Sequence, residues 1–112
     1  MEKLIDVLKA LSDETRLRIL NILYEKELCV CDIMETLQIS QAKASRHLTC
    51  MKNAGLVNDR KFAQWVYYSI RDEWKGKFIG ELIRGSIRNN GLYDSDLDKL
   101  KSWLERKNIH CD

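Results

Sequence analysis

One run of β-branched and aromatic residues, Trp65-Val66-Tyr67-Tyr68-Ser69-Ile70, interrupts a chain whose apolar residues otherwise recur at helical spacing. A weaker extended run, Leu56 to Lys61, precedes it, with Phe62-Ala63-Gln64 as the connecting tip. Leu4, Ile5, Val7, Leu8 and Leu11 form the stripe of a first helix. Ser12 reads as the N-cap of a second that runs to about Lys26. A short helix begins near Cys29, the connection Gln38-Ile39-Ser40 follows, and Ser40 caps a helix reaching about Asn53. Gly55 stops it. Residues 72–88 return to helical spacing, Asn89-Asn90-Gly91 breaks them, and Ser95 with Asp98 reads as the capping box of a last helix. The expected fold is mainly α with a β-hairpin: a winged helix-turn-helix with extra N- and C-terminal helices. Proline is absent and no linker or repeat is visible. Residues 1–112 therefore read as one domain, with the helix-turn-helix at 29–53 and the wing at 56–70. Residues 1–11 and 72–107 read as dimerisation helices, because their apolar stripes exceed what a winged core can cover.

Charge is unevenly spread. The formal net charge is only +2, but residues 41–61 hold five bases and one acid, whereas residues 1–40 hold five bases and eight acids. A basic excess centred on one helix and the strand after it is the footprint of a local nucleic-acid contact. No apolar run is long enough to span a membrane, and no signal-peptide core is visible at the N-terminus. Four cysteines without a secretion signal indicate free thiols in a reducing cytoplasm. No membrane association and no organic cofactor are expected.

The segment 41–47 carries the DNA-reading pattern. Ala42, Ala44 and Ser45 are small enough for close approach to a partner helix or a groove. Gln41, Lys43, Ser45 and Arg46 place donors on the N-terminal half of the helix, the part that reaches base edges in a helix-turn-helix. Arg and Gln can read guanine and adenine bidentately, while Lys and Ser mainly anchor phosphates. Arg60, Lys61 and Gln64 at the hairpin are the expected wing contacts. His47, beside Leu48, reads as a packed or phosphate-bonding residue rather than a metal ligand. Trp65, Tyr67 and Tyr68 read as sheet packing. The expected partner is double-stranded operator DNA.

Glu27-Leu28-Cys29-Val30-Cys31-Asp32 carries the second chemistry. With Cys29 as N-cap, Cys29 and Asp32 occupy the two places of a capping box. A helix N-terminus favours thiolate, and thiolates select soft ions. In a regular helix, residues two apart point roughly 200° apart, so joining both sulfurs to one ion would strain the first turn. That is the basis of a ligand-operated switch.

These residues resemble a known family. Ala10 to Leu20, Glu27 to Asp32, Ser40 to Leu48, Ala54-Gly55-Leu56-Val57 and Trp65 to Tyr68 are similar to the ArsR/SmtB metal-sensing repressors, and the cysteine box to that of arsenical-resistance operon repressors. The resemblance implies a homodimer joined through its first and last helices. It also implies a repressor that releases its operator when As(III) or Sb(III), the inducer, binds Cys29 and Cys31. Arsenic-sensing relatives often carry a third cysteine three residues after the second, where this chain has Met34. Cys111 is then the first candidate for a third thiolate and Cys50 the second. The zinc-type site of relatives, on the helix after the wing, is not matched: Asp72 is followed by Trp74, and residues 72–88 hold no histidine.

Four other readings stand beside this one, among them a structural zinc module, for which no second close-spaced pair completes a Cys₄ or Cys₂His₂ site. The same fold sensing cadmium or lead would add cysteines from an N-terminal extension. A redox switch would join Cys29 to Cys31, although so short a loop strains a disulfide. A thiol redox enzyme would need a Cys-x-x-Cys within a βαβ pattern, and neither is found here, so no enzymatic activity is expected.

Overall fold

The computed structural model describes residues 2–88 and 90–110, with backbone alone at Glu2 and 108–110. The elements run α1 (Glu2–Ala10), α2 (Glu14–Leu23), β1 (Leu28–Cys29), α3 (Val30–Leu37), α4 (Gln41–Asn53), β2 (Val57–Phe62) and β3 (Trp65–Ile70). A helical segment at 72–87, here α5, and a last helix α6 (Gly91–His110) complete the chain. This is a mainly helical winged helix-turn-helix.

The N-cap of α2 is Asp13 rather than Ser12: its carboxylate accepts the backbone N–H of Arg16 at 3.0 Å, while the Ser12 hydroxyl turns back to Lys9. That helix ends at Leu23, short of Lys26. The turn between α3 and α4 is made by Gln38, which sits at φ 57° and returns its backbone N–H to the Met34 carbonyl. Ser40 caps α4 by accepting from Lys43 N at 3.1 Å. Gly55, at φ 80°, stops the chain after α4, a conformation glycine takes without steric cost.

The hairpin pairs from Val57↔Ile70 to Phe62↔Trp65, so its tip is the two-residue turn Ala63-Gln64 and Phe62 still belongs to the ladder. Ala63 takes φ 56° there. A third strand was not expected from the sequence. Leu28 and Cys29 pair antiparallel with Tyr68 and Tyr67, giving the sheet order β1-β3-β2.

α5 alternates α turns (Asp72–Trp74, Gly80–Leu82) with π turns (Lys75–Ile79, Ile83–Ile87). Its buried residues Ile79, Ile83 and Ile87 are spaced by four, more than the 3.6 of an α-helix, and wider turns keep them on one line. α6 begins at Gly91, four residues before the expected cap at Ser95. Asn90 Oδ1 accepts from Leu92 N instead.

The core gathers Ile19, Leu20, Ile22 and Leu23 of α2, Ile33 of α3, Leu48 and Met51 of α4, and Ile79 and Ile83 of α5. α6 is held onto α2 by partly buried polar contacts. Arg18 donates twice to the fully buried Asp96 carboxylate, at 2.8 and 2.9 Å. Asn21 donates to the Tyr93 carbonyl and accepts from Arg88. Among the described residues, no helix is long and apolar enough to cross a membrane.

Candidate functional site

Cys29 is the last residue of β1 and the N-cap of α3, with extended backbone at φ −86° and ψ 169°. The helical rule that separates residues two apart therefore does not govern Cys29 and Cys31, since only the second lies in the helix. Both thiols line one cleft of about 660 Å³, with Gln64, Trp65, Tyr67, Trp103 and Lys107 around them. Cys29 is buried and Cys31 exposed.

Asp32 holds this corner together. Its Oδ2 accepts from Cys29 N at 3.0 Å, the expected capping-box contact. Its Oδ1 accepts from Trp103 Nε1 at 2.9 Å and from Lys107 Nζ at 2.8 Å. Lys107 Nζ also lies 3.7 Å from Cys29 Sγ. The carboxylate is almost fully buried; burial opposes its charge, yet Lys107, Trp103 and the Cys29 N–H together hold it below the usual carboxylate value. Burial also lowers the charge preference of Lys107, and its contact with Asp32 more than restores it.

The expectation of two readily ionised thiols is corrected for Cys29. Burial pushes this thiol up; the Asp32 N–H pulls it down, the Asp32 carboxylate adds to the rise, and the Lys107 ammonium opposes it. The helix N-terminus is outweighed by desolvation and a neighbouring negative charge.

The sequence marks Asp32 only as the capping partner of Cys29, and it does not mark Trp103 or Lys107 as site residues. The signal was available in part, because Trp103 and Lys107 are four apart and share one helix face. Their partner, 71 to 75 residues away, was not. Among the described residues, no group of three His, Cys, Asp or Glu side chains converges as a metal site. Cys111 lies outside the described residues. Cys50, the second candidate for a third thiolate, is exposed on α4 and does not line the cleft.

On α4, Gln41 and Arg46 are exposed, and Lys43 and Ser45 half-exposed. His47 differs from them. Its ring is buried, with Nδ1 3.3 Å from Arg16 Nη1 and 4.0 Å from Asp13 Oδ2. Burial lowers its proton affinity, and nearby Arg16, Arg46 and Lys43 outweigh part of the pull of Asp13. The ring braces α4 against the start of α2, the packed setting expected of it.

The wing residues also divide. Lys61 and Gln64 are exposed, but Arg60 is engaged. Its guanidinium makes two 2.7 Å bonds to Glu27 and lies over the rings of Tyr67 and Phe62. Glu27 immediately precedes β1, so Arg60 ties the wing to the approach to the cysteine box.

A family model described as "Bacterial regulatory protein, arsR family" matches residues 13–59. The chain is 41% identical over 92 residues to an arsenic resistance transcriptional regulator of Pseudomonas putida, covering 81% of this chain and 79% of that protein. It is 45% identical over 84 residues to the arsenical resistance operon repressor of Escherichia coli, covering 71% and 72% respectively. A cadmium resistance transcriptional regulatory protein homologue from Staphylococcus aureus is 50% identical over 68 residues, but these span 60% of this chain and only 56% of that protein. Among solved structures, HlyU from Vibrio cholerae superposes with a TM-score of 0.71 at 37% identity, covering 77% of this chain and 94% of that one. A homodimeric winged helix-turn-helix DNA-binding domain from Mycobacterium bovis, a possible ArsR-family regulator, gives 0.69 at 28% identity, covering 78% and 81%. With the winged fold in common, and sequence identity of this order over most of the arsenic regulators' length, the chain belongs to the arsR family of bacterial regulatory proteins.

Proposed function

We propose that this regulator is a cytoplasmic DNA-binding repressor that leaves its operator when As(III) or Sb(III) is bound by the Cys29 and Cys31 thiolates. The observation that carries the reading is that both thiols line one cleft at the junction of β1, α3 and α6. Cys29 belongs to the wing sheet through its pairing with Tyr67, and α3 packs against α4. A ligand closing on both sulfurs therefore acts on the wing and on the helix supporting the recognition helix at once.

Trivalent arsenic favours three sulfurs, and Cys111 is the proposed third. Trp103 and Lys107 both reach Asp32, and Cys111 follows Lys107 at the same four-residue interval. Gln41 and Arg46 are the proposed base readers; Lys43, Ser45, Lys61 and Gln64 the proposed backbone contacts. Arg60 joins these once it leaves Glu27, and His47 positions α4.

A homodimer is part of the proposal. Ile5 and Leu8 on α1 are each about half exposed, and Phe78 on α5 and Leu92 on α6 are also exposed, which leaves apolar surface on three terminal helices. The Mycobacterium bovis relative is homodimeric, which supports the same arrangement.

The test is displacement of the protein from its upstream DNA, followed by fluorescence anisotropy during titration with As(III), Sb(III), Cd(II), Zn(II) and a thiol oxidant. Release by As(III) and Sb(III) at the lowest concentrations is expected. Release by Cd(II) alone would move the chain to cadmium sensing, the reading the Staphylococcus aureus relative favours. Release by oxidant alone would make the thiols a redox switch.

A further inference from the structure

Arg60 is drawn back across the width of the wing sheet. In the strand order β1-β3-β2 it stands on β2, and its cross-strand partner on β3 is Tyr67, which pairs in turn with Cys29 on β1. Glu27, just ahead of β1, lies at the opposite edge from Arg60. The guanidinium lies over the Tyr67 ring, 5.4 Å from its centroid, and Nε and Nη2 each donate to one Glu27 carboxylate oxygen at 2.7 Å.

The contact has the form a phosphate contact takes. Carboxylate and phosphate both present paired oxygens to the planar fork of an arginine, and either can be held by two parallel N–H···O bonds. Glu27 takes the Nε–Nη2 edge of the fork and offsets the charge that a phosphate would meet. The pair is open to water, with the Arg60 side chain 56% and that of Glu27 31% exposed, so another anion can reach it. An ion pair this exposed adds little to stability, and exchanging one anion for the other is correspondingly cheap.

From this arrangement we infer that Glu27 is a built-in competitor of the DNA backbone: its carboxylate holds the place of a phosphate on Arg60 and lowers the affinity of the protein for DNA. This rests on the proposal that the chain grips DNA and that Arg60 joins the contact on leaving Glu27. Binding then swaps one anion for another on the same guanidinium. A phosphate contact carries no base information, so the competitor lowers affinity evenly across sequences.

The test measures binding of the full chain to its upstream DNA and to a scrambled duplex of equal length, by fluorescence anisotropy. Wild type, Glu27→Gln, Arg60→Ala and the double variant are compared. Glu27→Gln keeps the side-chain size and removes the charge, and its unfolding midpoint should stay close to the wild-type value. It is expected to bind both duplexes about three- to tenfold more tightly at about 50 mM salt. The gain should shrink as salt screens the pair. Arg60→Ala should weaken binding to both duplexes. In the Arg60→Ala background, Glu27→Gln should change affinity by less than about 1.5-fold, because the competitor has nothing left to hold. Simple repulsion between an acid and DNA would persist in that background. Wild-type affinity in Glu27→Gln, a gain that survives in the double variant, or an Arg60→Ala chain that binds as wild type does would each overturn the inference and leave the DNA-binding reading standing. If wild type binds neither duplex, that reading has failed and the inference falls with it.

Discussion

The two helices of the helix-turn-helix are finished in opposite ways at their N-termini. α4 starts at an exposed Ser40 whose hydroxyl caps its own backbone, and the side chains beyond it are mostly turned to solvent. α3 starts at a buried Cys29 and is completed by Asp32, a carboxylate that draws three donors, one from the end of β1 and two from α6. One end is locally self-sufficient and leaves its side chains for a partner. The other joins a local capping contact to two donors from a distant helix, so anything that alters it is felt in β1 and α6. Such a division is what a switch requires: a reading surface that can be changed without unfolding, and a sensing corner that cannot be touched without moving its neighbours.

The largest expected effect of breaking this contrast is at Asp32. Asp32→Ala should cost about 3 kcal/mol, because it strands a buried backbone N–H and a partly buried indole N–H and leaves Lys107 unpaired. Denaturant unfolding measures it, and a loss no larger than about 1 kcal/mol, that expected of a single side-chain cap, would make α3 no different from α4. The same carboxylate sets a pH dependence. Its folded value lies below the unfolded one of about 3.9, so its contribution is complete above that value and disappears as pH falls through the folded one. Wild type should therefore lose more stability than Asp32→Asn on acidification below about pH 4.

On the α4 side, Arg46→Ala and Gln41→Ala should each weaken operator binding by about 1–3 kcal/mol and relax base preference. Their unfolding midpoints should stay at the wild-type value. Ser40→Ala should cost about 1 kcal/mol of stability by removing one cap. The smallest effect is expected at the wing, where Lys61→Ala should lower the salt slope of DNA binding by about one, equally for all sequences. A sequence-dependent loss there would make Lys61 a base reader.

Much of the architecture was legible from local pattern. The helix-turn-helix spacing, the Ser40 cap, the hairpin and the pairing of Cys29 with Asp32 all rest on residues close in sequence. The failures have a common cause. β1 is two residues long and exists only because β3 offers a free edge, which no local propensity announces. The raised Cys29 thiol reflects burial by elements from elsewhere in the chain, which overrides the helix end beside it. The wing pattern around Arg60 likewise gave no sign of its partner Glu27, 33 residues away. His47 is packed as its place beside Leu48 suggested, but its partners Arg16 and Asp13 lie on a distant stretch of chain.

The central claim is that the thiols at the start of α3 control the DNA grip of α4. The most direct measurement is As(III)-driven release of upstream DNA by wild type and by the Cys29→Ser, Cys31→Ser double variant, at matched dimer concentration. Serine is a good N-cap, so the variant should fold and bind DNA as wild type does. The account predicts that As(III) releases the wild type and leaves the double variant bound across the same range. Release of the double variant at the wild-type As(III) concentration would contradict it.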